Sequence, residues 1–258
     1  VGDYFNYIDN LGYNSNVNKS TVGGIKILKF KKNIIFFDIG EPPKKNYSRA
    51  YQSGPMSFEY YNDGKKIITN CGFGYNISKK AMLLSRLTSA QSTLSLNDTS
   101  VVKFERNKMI NKAFGTSIKN SFKISDLEFD ENELEIKSSA SNDAYNDEFG
   151  YCHKREICIN KTHNKIFGMD KLINKNKNKK IKYDIRFHLS PGIEALQTIG
   201  GKSILIQINK NKSLIFSSEK EFISVEKSIF LGGNKILNNL CITISGNLIN
   251  ENKIINWE

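Results

Sequence analysis

Apolar residues fall mostly on every second position, in short runs broken by Gly, Asn, Asp and Lys, the sequence form of strands that bury one face. GIKILKF and NIIFFDIG flank a turn at Lys31 to Asn33. MSFEYY and KKIITNCG flank Asn62-Asp63-Gly64, a short-loop hairpin signal because Asp-Gly takes positive φ at small steric cost. The pattern recurs in STLSL, VVKFE, SFKISDLEF, NELEIKSS, REICIN, IKYDIRFHL, EFISVEK and LCITISG, and Lys202 to Ser218 reads as a hairpin around Asn209 to Lys212. NISKKAMLLSRLTSAQ, Asn76 to Gln91, departs from it: good helix formers, Ser78 as N-cap and apolar Met82, Leu83 and Leu87 predict one short helix near residues 78–90. Pro42, Pro43, Pro55 and Pro191 all fall between strand runs. With no heptads and no βαβ alternation, the pattern predicts an all-β fold, a large antiparallel multi-sheet β-sandwich with one short helix.

The 258 residues allow one to two domains. No sharp boundary appears, and the weakest joint is the Lys/Asn loop Asn174 to Lys180. Residues 1–20 are polar and Asn-rich and begin at Val1. They read as a poorly ordered or linker segment of a longer protein, with residues 21–258 as the β domain. A 39% hydrophobic content with 16 Phe and 11 Tyr excludes a disordered chain. No apolar run approaches the roughly 18 residues of a membrane-spanning helix. Cys71, Cys152, Cys158 and Cys241 contain no C-x-x-C pair, which argues against a zinc ribbon or a disulfide scaffold, and Cys152 and Cys158 would share one face of an unbroken strand. The formal charge of +12, from 38 basic and 26 acidic residues, favours an anionic partner: nucleic acid, acidic polysaccharide or a membrane surface. The charge is diffuse, and no recognition-helix or RNP-like pattern supports nucleic acid.

Candidate chemistry is sparse. His153 and His188 lie in strand contexts and could meet on adjacent strands, while His163 sits in a turn. Asp126, Glu128, Asp130, Glu131 and Glu133 read as a solvated strand edge, without the ligand spacing of an EF-hand. Gly200-Gly201 and Gly232-Gly233 read as turns.

Six segments in order carry a family resemblance: FFDIGEPP (36–43), SGPMSFEYYNDGKKIITNCG (53–72), SAQSTLSLNDTS (89–100), FGYCHKREICINKTHNKIFGMDKL (149–172), IRFHLSPGI (185–193) and the tail LGG…ITISG (231–246). The resemblance they carry covers nearly the whole chain, which resembles the C-terminal β domain of heparinase II/III-like proteins, in particular the branch common in alphaproteobacteria. Enzymes of that family are polysaccharide lyases that cleave uronic-acid-containing glycans by β-elimination. The resemblance implies that most reactive groups, a Tyr, a His and an Asn or equivalent, come from an α-helical toroid N-terminal to the β domain, so this chain alone is not expected to catalyse.

The family's β domain adds a cleft His and a zinc-type site of His, Asp and His. In this sequence the cleft His would fall at Ala50 and the three ligands at Gln52, Asn70 and Gln91. Three amides offer neutral oxygens where a cation wants imidazole and carboxylate, so the metal site is expected to be lost, no cofactor is expected, and an amide hydrogen-bond cluster would take its place. Glycan-facing candidates are Lys44, Lys45, Arg49, His153, Arg186 and His188. The implied partners are an acidic polysaccharide or oligosaccharide and the upstream toroid. The resemblance favours the periplasm or cell envelope and leaves the cytoplasm open. The alternative function is a non-catalytic carbohydrate-binding or envelope scaffold that has kept the shape and lost the chemistry.

Overall fold

A computed structural model describes residue 10 and residues 20–175, 180–218 and 220–258. The leading segment proposed for residues 1–20 and the Lys/Asn joint at 174–180 therefore lie largely outside the described residues.

Tight hairpins build the first sheet. Strands β1 (Thr21–Val22), β2 (Ile25–Phe30) and β3 (Asn33–Asp38) are followed by β4 (Phe58–Asn62) and β5 (Lys65–Thr69). Lys31, at φ 51°, turns β2 into β3; Asp63 and Gly64, at φ 56° and 75°, form the two-residue turn between β4 and β5. The sheet continues through β11 (Lys180–Leu189), β16 (Leu237–Ile249) and β15 (Phe222–Phe230), in the order β1-β2-β3-β4-β5-β11-β16-β15, with β6 (Leu94–Leu96) also paired to β11. The second sheet contains β7 (Ile124–Glu131), β8 (Glu135–Asn142), β9 (Tyr151–Asn160), β10 (Lys165–Asn174) and β17 (Lys253–Trp257), in the order β17-β10-β9-β8-β7. Three further strands, β12 (Glu194–Gln197), β13 (Ser203–Asn209) and β14 (Lys212–Ser217), form a small third sheet. Every pairing is antiparallel, as the alternation predicts.

The sheets converge on the single Trp. The Trp257 ring of β17 stacks on Phe58 of β4 at 5.5 Å and meets Phe187 of β11 edge-on at 4.9 Å, while Phe216 of β14 packs 4.8 Å from Phe187. This close approach depends on Gly168 of β10, directly across the ladder from Trp257: a Cβ there would lie 1.9 Å from the indole.

The helix expected near residues 78–90 is α1 (Lys79–Leu84), capped by Ser78, whose Oγ accepts from the Ala81 N–H at 3.0 Å; a 3-10 turn follows at Thr88–Ala90. Two more short helices are present, α2 (Lys108–Phe114), capped by Asn107, and α3 (Asn146–Phe149). VVKFE is not a strand and makes only an isolated Phe104–Ile118 bridge. Its first backbone amides are taken by side chains instead: Val101 N–H by Thr88 Oγ1 at 3.0 Å and Val102 N–H by Ser53 Oγ at 3.3 Å.

Candidate functional site

Three irregular segments meet beside the first sheet: the loop from Ser48 to Ser57, the end of β5 at Asn70 and Cys71, and the stretch Ser85–Thr93. Backbone bonds join them, Ser53 N–H to Arg86 O at 3.0 Å and Cys71 N–H to Ala90 O at 2.8 Å. Asn70 Oδ1 accepts from the Ser92 N–H at 2.8 Å, and Asn70 Nδ2 lies 3.4 Å from Ser57 Oγ. Buried Gln91 donates from Nε2 to Ser85 O at 2.8 Å. Its aliphatic part lies against Gly54, where a Cβ would come within 2.8 Å of Gln91 Cγ. Half-buried Gln52 precedes that glycine, and its carbonyl accepts from the Gly54 N–H at 2.9 Å. Asn70 and Gln91 therefore spend these bonds on backbone and on Ser57, rather than on each other.

As ligands for a divalent cation these groups fit poorly. Amide oxygens are neutral, and the Asn70 oxygen already holds an N–H. The imidazole beside them, His188, is engaged at both nitrogens: Nε2 lies 3.0 Å from Ser89 O, and Nδ1 lies 3.1 Å from Ser228 Oγ and 3.4 Å from Cys71 Sγ. Burial lowers the His188 pKa to about 4 and pushes the Cys71 thiol up to about 11, so the two face each other as neutral imidazole and thiol, not as an activated nucleophile.

A buried ionic group pins this corner to the second sheet. Arg155 of β9 and Asp170 of β10, both 0% exposed, pair through Nε–Oδ1 at 2.7 Å and Nη2–Oδ2 at 3.1 Å. Arg155 Nη1 donates to Met56 O and Ser92 O, both at 2.9 Å, and so clamps two of the three segments. His153 Nε2 lies 2.6 Å from Asp170 Oδ1, and Trp257 Nε1 donates to Oδ2 at 2.9 Å. Burial pushes the Asp170 carboxyl up, but Arg155 and His153 outweigh it and hold the group well below the usual carboxylate range. Burial also lowers the His153 pKa, keeping the ring neutral with its Nε2–H on the carboxylate. A second buried cation, Arg86, donates to Tyr51 O at 2.9 Å and to Thr116 O and Ser48 O at 2.8 Å, with the Phe104 ring 4.4 Å away. Burial lowers its pKa to about 10.

The glycan-facing candidates separate accordingly. Lys44, Lys45 and Arg49 are exposed. His153 and His188 are not: at 2% and 3% exposure, on β9 and β11 of different sheets, they neither face a ligand nor meet each other, because the inward alternation of their strands places both in the interior. Arg186 is largely sheltered and already paired, with Ser95 Oγ at 2.5 Å, Asp98 at 3.2 Å and Asp184 at 3.5 Å.

Packed antiparallel sheets with a buried ionic pin define a β-sandwich domain. The heparinase II/III-like C-terminal family matches residues 14–258, and the chain belongs to that family. Its fold is similar to that of the heparan sulfate lyase HepC from Pedobacter heparinus, with a TM-score of 0.74 and 12% identity, covering 99% of this chain and 40% of that one. A heparinase III is similar at a TM-score of 0.67 and 15% identity, over 91% of this chain and 34% of that one. At these identities the likeness is one of fold, and the chain spans less than half the length of either protein. Comparison of the sequence with curated proteins gives no match.

Sequence reasoning passed over Arg86, Arg155, Asp170 and Trp257. The available signal was an arginine on the inward side of a strand, since Tyr151, His153, Arg155, Ile157 and Ile159 share one face of β9.

Proposed function

We propose that this chain is the C-terminal β domain of a polysaccharide-lyase-type protein that acts by β-elimination on uronic-acid-containing glycans, with the reacting groups supplied by an upstream helical domain. The observation that carries the reading is the family match across residues 14–258. β-Elimination needs a base for the proton beside the carboxylate, a group that neutralises that carboxylate, and an acid for the leaving oxygen. In this chain the imidazoles of His153 and His188 are neutral, buried and hydrogen-bonded, and Cys71 is a protonated thiol, so none of them reaches a substrate. The positions of the family's metal ligands hold amides, of which Asn70 ties the end of β5 to Ser92 and Ser57, a structural substitute for a cation. The β domain then forms one wall of a glycan cleft and does not catalyse alone.

A second reading, a non-catalytic carbohydrate-binding or envelope scaffold, is favoured by the same replacements: Ala50 cannot move a proton, and Gln52, Asn70 and Gln91 are poor ligands. A lyase assay separates the two. The full-length polypeptide and the 258-residue chain are each incubated with a panel of acidic glycans, and the absorbance of the unsaturated product is followed. Product from the full-length protein alone is expected. Product from the short chain overturns the division of labour, and no product from the full-length protein on any glycan leaves the scaffold reading.

A further inference from the structure

Two stretches distant in sequence come together, and both are basic without a single acid: Lys44-Lys45-Asn46-Tyr47-Ser48-Arg49 and Arg106-Asn107-Lys108-Met109-Ile110-Asn111-Lys112. Their apposition is built from the interior. Ser48 Oγ accepts from the Ile118 N–H at 2.9 Å, and Arg86 bridges Ser48 O and Thr116 O. Gly115, which ends α2, lies so close to Arg49 that a Cβ would come within 3.2 Å of Arg49 Cδ. α2 is seven residues long, roughly 10 Å, so the backbone of Lys108 and Lys112 lies within about that distance along the helix of the Gly115–Arg49 approach.

All six cations, Lys44, Lys45, Arg49, Arg106, Lys108 and Lys112, are exposed, and none makes an ion pair among the described residues. Elsewhere many lysines have carboxylate partners, as in Lys32–Asp63, Lys66–Glu59 and Lys161–Glu131. The neighbouring Glu105 is buried, and its carboxylate is occupied by the backbone N–H groups of Arg106 and Asn107 and by Lys119. Exposed Glu41 is the near acid left at the margin. In the middle of the first stretch Tyr47 is 80% exposed, an aromatic face standing among cations. Unpaired positive charge beside an exposed ring suits a chain that carries carboxylates at intervals and offers apolar C–H faces between them.

We propose that the surface formed by residues 44–49 and 106–112 is a holding site for an extended uronate-bearing glycan, bordering the Gln52–Asn70–Gln91 corner, whose first loop begins at Ser48. The site rests on the glycan reading above for its ligand, but its location and its non-catalytic role are its own.

The test measures binding of the full chain to alginate, a polyuronate, across a range of salt concentrations. Two triple variants, Lys44→Gln/Lys45→Gln/Arg49→Gln and Arg106→Gln/Lys108→Gln/Lys112→Gln, are compared with an equal-charge control, Lys202→Gln/Lys210→Gln/Lys227→Gln. Each site triple is expected to weaken binding about tenfold and to flatten the dependence of affinity on salt, with the control within about twofold. Tyr47→Ala is expected to weaken alginate binding while leaving binding of single-stranded DNA of matched charge unchanged. Equal losses in all three triples, or DNA binding as tight as alginate in the wild type, overturns the proposal. A full-length protein without lyase activity that still shows the site-specific losses removes the catalytic reading and leaves this site standing. Circular dichroism of each variant separates a lost site from a lost fold.

Discussion

Replacing Asp170 by Asn tests the internal pin most sharply, because the substitution keeps the shape and removes the charge. Asp170 accepts four bonds, from His153, Trp257 and two nitrogens of Arg155, and all four residues are buried. An amide offers one oxygen and one NH2. Whichever way it turns, a donor faces donors, and the Arg155 guanidinium is left as an uncompensated charge with only the Met56 and Ser92 carbonyls. Breaking one side of such a pair costs about 3–5 kcal/mol, against a total stability of about 5–15 kcal/mol. For a domain of this size that corresponds to a melting temperature lower by about 6–20 °C. Urea and thermal unfolding followed by the fluorescence of the single Trp read it directly, since Trp257 donates to the same carboxylate. In the double variant Arg155→Met/Asp170→Leu the loss should be smaller than the sum of the two single losses, by at least about 1 kcal/mol. A loss below about 1 kcal/mol for Asp170→Asn would refute the argument that this pair bears on the attachment of the Met56 and Ser92 segments to the second sheet.

Other consequences are open to measurement. The folded pKa of His188, near 4, lies below the ordinary value of about 6.5, so the protein loses up to about 3 kcal/mol from this group as pH falls between those values. His188→Gln should remove that part of the pH profile, and parallel stability profiles for the variant and the wild type would exclude it. Gly168→Ala drives a methyl into the Trp257 indole and should destabilise by at least about 1–3 kcal/mol with a changed Trp emission; an unshifted urea midpoint would show that the cluster can yield. Arg86→Met leaves the Ser48, Tyr51 and Thr116 carbonyls without their donor, so amide exchange should accelerate at Ser48–Ser53 before the β-strands are affected. Uniform acceleration throughout the protein would argue instead for a global loss of stability.

Hairpins were legible because their signals are local. Asp63-Gly64 sets its own turn, and the alternation of β3, β9 and β11 sets which side chains go inward. The same alternation already implied that His153 and His188 point inside, but not that β9 and β11 belong to different sheets, because pairing order depends on contacts far apart in sequence. VVKFE shows the opposite failure: its local preference for a strand yields to hydroxyls of Thr88 and Ser53, which claim its amides only after the chain has folded back. Three amides could be read at positions 52, 70 and 91, whereas the bonding of Asn70 and Gln91 to backbone could not.

The amino-acid order by itself determined the all-β class, most of the strands, the capped helix α1 and the excess of positive charge, since each follows from neighbours within a few residues. Only the tertiary structure decided that Arg155, paired with Asp170 in the second sheet, holds the Met56 and Ser92 carbonyls, that Arg86 gathers three loop carbonyls, and that two acid-free basic stretches come together. Those depend on which surfaces are excluded from water together, and a buried charge declares its partner only when the partner has been brought to it.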